Sequence, residues 1–222
     1  MLFQHPIFLA ILTGFVFGLL LSIPVGPVNL TIINEGAREG LLWALMIGLG
    51  ATLMEVVYCA LAFTGFASFF NGKVIKAVLE LVSFVFMLYL GIKFLTVRSI
   101  SAAKPAKEKE KKTMKHHSAF VTGVARVFGN PGVFLGWIVL AAVFRSHDWV
   151  EPNLAGTCYC VAGVAGGVGL WFFGLSYGVS RKHGKFTEKT LLRMEHISGI
   201  CMLVLAVAQG IYIGWQIHHR KF

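Results

Sequence analysis

"SIPVGPVN", residues 22–29, interrupts a run that is otherwise almost wholly apolar. Pro24 and Pro27 each lack a backbone N–H and crowd the preceding helical turn. The carbonyls they free would cost several kcal/mol each if left bare in lipid. A break of this kind is tolerated where the backbone faces protein or a water-filled cavity. Half-helix ends then present oriented N–H and C=O dipoles, suited to a carboxylate or an ammonium. Ser22 and Asn29 add side-chain donors and acceptors beside the break. The plain alternative is a proline kink that only shapes packing.

The surrounding composition sets the class. Of 222 residues, 56% are hydrophobic and 14% charged, with a mean hydropathy of +0.73. A soluble domain carries roughly 25% charged residues. The apolar residues come in blocks of about 20, the length a bilayer requires. The fold class is therefore an all-α, multi-pass membrane protein. The net charge of +10 does not point to nucleic acid, because the basic residues lie in short segments between apolar blocks. Residues 3–21 lack the basic start and short core of a cleavable signal. Cys59, Cys158, Cys160 and Cys201 all fall in apolar blocks without metal or disulfide spacing, and read as small apolar fillers.

Six spans are predicted, at about 7–33, 41–66, 75–97, 119–144, 156–179 and 196–217. The polar breaks between them are 34–40, 71–76, 98–118, 145–153 and 180–195. Arg38, seven basic residues of 98–118 and five of 180–195 share one side. Lys73, Lys76, Arg145, Arg220 and Lys221 share the other. This bias places the 98–118 loop in the cytoplasm and both termini outside. That loop mixes Lys and Glu without apolar periodicity, as a solvated tether does. The adjacent His116 and His117 are a weak metal signal, and no metal site is expected.

The tether divides the chain into residues 1–97 and 119–222, three spans each. "FVFG" (15–18) opens the first half and "FVTG" (120–123) the second. Each is followed within ten residues by a proline–glycine break, "PVGP" (24–27) and "NPG" (130–132). Three spans per half make the second half enter from the opposite side, the parity of two inverted three-helix repeats with proline-broken first and fourth helices. In such transporters the substrate site lies at the repeat interface.

Glu55 is the most informative single residue. A charge in mid-span costs several kcal/mol by insertion scales, so Glu55 should face the protein interior. Gly48, Ala51, Thr52, Cys59 and Ala62 share its helix face and form a small-residue stripe. A titratable group there is a candidate proton carrier, with a structural carboxylate as the alternative. Arg126, two turns into the fourth span, is a candidate cation partner that can equally snorkel to the interface. Glu80 and Lys93 read as interfacial, and Trp137 and Trp171 as core or interface anchors. Gly163 with Gly167, Gly174 with Gly178 and Gly210 with Gly214 read as helix packing faces, one of which could support a homodimer. No nucleophile–base pair, zinc spacing or phosphate loop is present, so no enzyme activity and no cofactor are expected.

The chain resembles the lysine-exporter (LysE/RhtB-type) amino-acid exporters over nearly its whole length. "GFVFGLLLSIPVGPVNL" with "GAREGLLWAL" looks like that family's first-helix signature, here ending Val-Gly-Pro. "GLGATLMEVVY" (48–58) is similar to the run leading to its intramembrane acid, with Glu55 where many members have Asp. "GNPGVFLGW" (129–137) resembles its second-half signature, with Gly132 replacing a common lysine, and "RMEHISGICMLVLAVAQGIY" its last helix. The resemblance implies a bacterial inner-membrane exporter of amino acids or similar small metabolites, driven by the proton gradient. It implies Ser22, Pro24, Gly26, Pro27, Asn29, Asn130 and Pro131 around a substrate site with Glu55. A divalent-metal exporter on a related scaffold, a membrane redox carrier and a non-transporting scaffold are the alternatives.

Overall fold

A computed structural model describes residues 6–65, 73–98, 116–181 and 187–219. Among them lie eight α-helices and no strand: α1 (Pro6–Ser22), α2 (Pro27–Glu39), α3 (Leu41–Gly65), α4 (Lys73–Thr96), α5 (His116–Phe128), α6 (Pro131–Ser146), α7 (Leu154–Arg181) and α8 (Glu188–His219). The expected first and fourth spans are each two helices, bent by 70° between α1 and α2 and by 64° between α5 and α6. The bends fall where Pro24, Pro27 and Pro131 remove backbone donors.

Three helices are individually long and apolar enough to cross a membrane, at Leu41–Gly65, Leu154–Arg181 and Glu188–Trp215. Counting each bent pair as one span makes five. The helix α4, which covers the remaining expected span, packs antiparallel along α8. On α3, buried Ala51, Glu55, Cys59 and Ala62 oppose an exposed row of Leu49, Leu53, Val57 and Leu61. A helix apolar on both faces, one of them open, is built for lipid rather than water.

Two expectations about loops are corrected. Residues 34–39 are the last turns of α2, and the turn to α3 is the single Gly40, at φ 93°, a conformation that favours glycine. Gly36, within that polar-looking run, packs against Ala44 and Val179, which keeps the segment helical. Likewise residues 188–195 belong to α8 rather than to a loop. Most of the 98–118 tether lies outside the described residues, although its end, from His116, is already α5.

Glycine sets the closest approaches. At the α1–α7 crossing, a Cβ on Gly163 would overlap the Ile11 carbonyl oxygen, and one on Gly167 the Phe15 carbonyl oxygen. At the α3–α5 crossing, Gly50 lies in the same way against Phe120 and Gly123 against Ile47. Gly210 lies against the Phe84 ring, whereas Gly174 and Gly214 face no neighbour within 4 Å among the described residues.

Candidate functional site

The proline breaks expose carbonyls, and the polar side chains near them satisfy that demand first. In an unbroken helix the N–H at position 27 would bond the carbonyl of Ile23. Proline has none. The Asn29 carboxamide takes over, donating to the carbonyls of Ser22 (2.8 Å), Ile23 (3.3 Å) and Pro24 (2.6 Å). Its oxygen accepts from the Trp171 indole on α7 at 3.1 Å. The Ser22 hydroxyl turns back to the Gly18 carbonyl at 2.8 Å. Gly26 caps α2 through its backbone, with Pro27 at the first helical position.

The second break is satisfied by a different set of groups. Asn130 caps α6 by accepting from the Gly132 N–H, and Pro131 occupies the first helical position. With the Gly132 N–H so engaged, the Phe128 carbonyl bonds the Tyr58 hydroxyl of α3 at 3.1 Å. One turn earlier on α3, Glu55 is buried and accepts from the Trp137 indole of α6. Glu55 and Tyr58 thus hold the two sides of that bend from a single helix. Trp137 and Trp171, expected as anchors, each secure a polar residue of the site.

Other expected residues lie apart. Arg126 is exposed on α5 and makes no ion pair with Glu55 among the described residues. A surface depression lined by His117, Ser118, Val121, Thr122, Ala125 and Arg126 follows that outer face. Glu80, expected at the interface, is instead buried on α4. Cys59 and Cys160 meet in the interior between α3 and α7.

Sequence reading passed over Glu195. It is buried on α8, and its Oε2 accepts from the Val25 N–H at 2.6 Å, inside the first break. The signal was a helical period: Leu191, Glu195, Ser198, Met202, Ala206 and Gln209 form one buried face. The charged neighbours in 180–195 obscured it.

Asn29 gives the first measurable consequence. Asn29→Ala leaves carbonyls and the Trp171 N–H without partners in a buried setting. At about 1–3 kcal/mol for an unsatisfied group, the variant should unfold in denaturing detergent at least ~2 kcal/mol more easily than the wild type. Unchanged unfolding would show that the carboxamide does not hold the bend.

Two bent helix pairs with buried polar groups at their breaks, beside three helices long and apolar enough to cross a membrane, define a multi-pass helical membrane protein. The chain belongs to the LysE type translocator family, whose model matches residues 19–212. It is 27% identical over 205 residues to the "Putative amino acid efflux protein YcgF" of Bacillus subtilis (strain 168), covering 92% of this chain and 95% of that relative. No solved structure matches it.

Proposed function

We propose that the protein exports amino acids or related small metabolites from the cytoplasm of a bacterial cell, coupled to the proton gradient across the inner membrane. In this reading six spans form two inverted repeats, 1–97 and 119–222, joined by the basic 98–118 segment on the cytoplasmic side, with both termini periplasmic. Substrate binds between the two breaks, among Ser22, Pro24, Gly26, Pro27, Asn29, Asn130 and Pro131, and Glu55 exchanges the proton.

The observation that carries the reading is the pair of bent spans whose loosened ends are held by side chains from α3, α7 and α8 beside a buried acid. Such ends are polar backbone set among apolar helices, and in transporters broken helices of this kind hold a polar solute. The repeat reading is supported by the helix crossings. Gly167 sits against the Phe15 carbonyl and the Leu19 N–H; Gly50 sits against the Phe120 carbonyl and the Val124 N–H. Phe15 and Phe120 are the first residues of "FVFG" and "FVTG". The efflux activity named for the Bacillus relative fits the same direction of transport.

Everted membrane vesicles with an imposed pH gradient test the proposal. Vesicles containing the protein should accumulate at least one of lysine, arginine, threonine, leucine and glutamate faster than empty-vector vesicles, and a protonophore should abolish the difference. Equal uptake by both vesicle types across all twenty amino acids would sink it.

A further inference from the structure

Resting on that reading, we propose that Glu195 receives the ammonium group of the exported amino acid, which makes it a specificity-determining residue of the first break. The carboxylate is placed for this by its surroundings. The Val25 N–H fixes one oxygen at 2.6 Å. The other has no hydrogen-bond partner among the described residues. The residue is only 7% exposed, and a buried carboxylate is costly unless a cation comes to it. Lys93 and His196 lie close enough to act on its charge. Neither forms an ion pair with it: Lys93 is exposed, and the His196 ring bonds the Val97 carbonyl.

The backbone at the same spot has the matching sign. The helix α1 ends here, so its negative dipole end converges on the break. The carbonyls of Ser22 and Ile23 accept from the neutral Asn29 amide, and each keeps a lone pair, while the Pro24 carbonyl is shared between that amide and the Gly26 N–H. A buried carboxylate, the negative end of a helix and a cluster of carbonyls form a pole for a compact cation with several donors. A primary ammonium has three. The first turn of α2 begins a few residues on, and its N–H groups beyond Pro27 form the opposite pole, suited to a carboxylate. The two poles of an amino acid thus have complementary ends a few residues apart.

The test is competition in proteoliposomes made with the full-length protein. The probe is whichever of lysine, arginine, threonine, leucine and glutamate the wild type transports, set against the same compound acetylated on its α-nitrogen. The acetylated compound brings no positive charge to the carboxylate, so it should compete at least ~10-fold more weakly. Glu195→Gln keeps an oxygen for the Val25 N–H but carries no charge. It should raise KM for the free amino acid and bring the discrimination to within about threefold. Glu195→Asp, which keeps the charge, should preserve the discrimination.

Equal competition by the acetylated compound in the wild type would overturn the proposal whether or not any variant folds. So would full discrimination in Glu195→Gln. Absence of any amino-acid flux in the wild type is a separate result, which overturns the efflux reading on which this one rests.

Discussion

Gly167→Leu is expected to yield little or no folded protein, while Gly174→Leu on the same helix is expected to behave like the wild type. The contrast isolates geometry from composition. Both positions lie in α7, both changes add the same side chain, and both should gain about 1 kcal/mol of helix propensity. At Gly174 a Cβ would meet nothing within 4 Å among the described residues, so the added side chain has room. At Gly167 the Cβ would occupy the position of the Phe15 carbonyl oxygen, with the Leu19 nitrogen beside it. These are backbone atoms of α1, which cannot rotate aside as a side chain can. The helices must separate, and the neighbouring contacts of Gly14, Gly18 and Gly163 along the same seam are lost with them. Without a hydrophobic force between helices in lipid, close packing is a main source of association. Overpacking of even a yielding core costs about 1–3 kcal/mol, and here the clash is with backbone. Size-exclusion chromatography and melting in mild detergent read the outcome. A Gly167→Leu protein that is monodisperse and melts with the wild type would show that the α1–α7 crossing does not hold the fold together.

How much of this was open to a sequence reader depends on which forces act locally. The breaks were legible because proline alters the backbone wherever it stands, so "SIPVGPVN" and "FGNPG" announce bends of 70° and 64° without knowledge of their neighbours. Glu55 was legible because one acid in a wholly apolar block has only the interior to face. The partners were not legible. Nothing in the order of residues says that Asn29 will spend its amide on carbonyls five to seven positions back while holding an indole 142 positions ahead. Nor does it say that Tyr58 and Trp137 will serve the second bend. Those bonds exist only after the helices pack. Glu195 was hidden for another reason: in a segment dense with Lys, Arg and His, a helical face with a period near 3.6 is easily read as a solvated loop. The loop at 34–40 misled in the same way, since polarity marks loops only by correlation, and Gly36 is packed.

Glu55→Gln is expected to fold normally and to lose every response of transport to a pH gradient. The substitution is nearly isosteric, and the new carboxamide still offers an oxygen to the Trp137 N–H, so the tie between α3 and α6 survives. The ability to take up and release a proton does not survive. In an exporter that uses the proton gradient, at least one buried group must change its protonation between the two access states, and intramembrane carboxylates are the usual carriers. Two measurements on one preparation separate coupling from binding. Exchange of labelled for unlabelled amino acid with no pH difference should continue in Glu55→Gln, because it needs only the substrate site and the moving helices. Accumulation driven by a pH gradient should fall to that of protein-free liposomes. Glu55→Asp keeps a titratable acid but shortens its reach toward Trp137, so gradient-driven accumulation should persist at a reduced rate. Trp137→Phe provides the complementary case: the acid remains, its indole donor is gone, and coupling should weaken without vanishing. Gradient-driven accumulation by Glu55→Gln at the wild-type rate would remove this residue from the coupling step. The proton would then have to travel by way of another buried acid, for which Glu195 at the first break and Glu80 on α4 are the remaining buried candidates among the described residues.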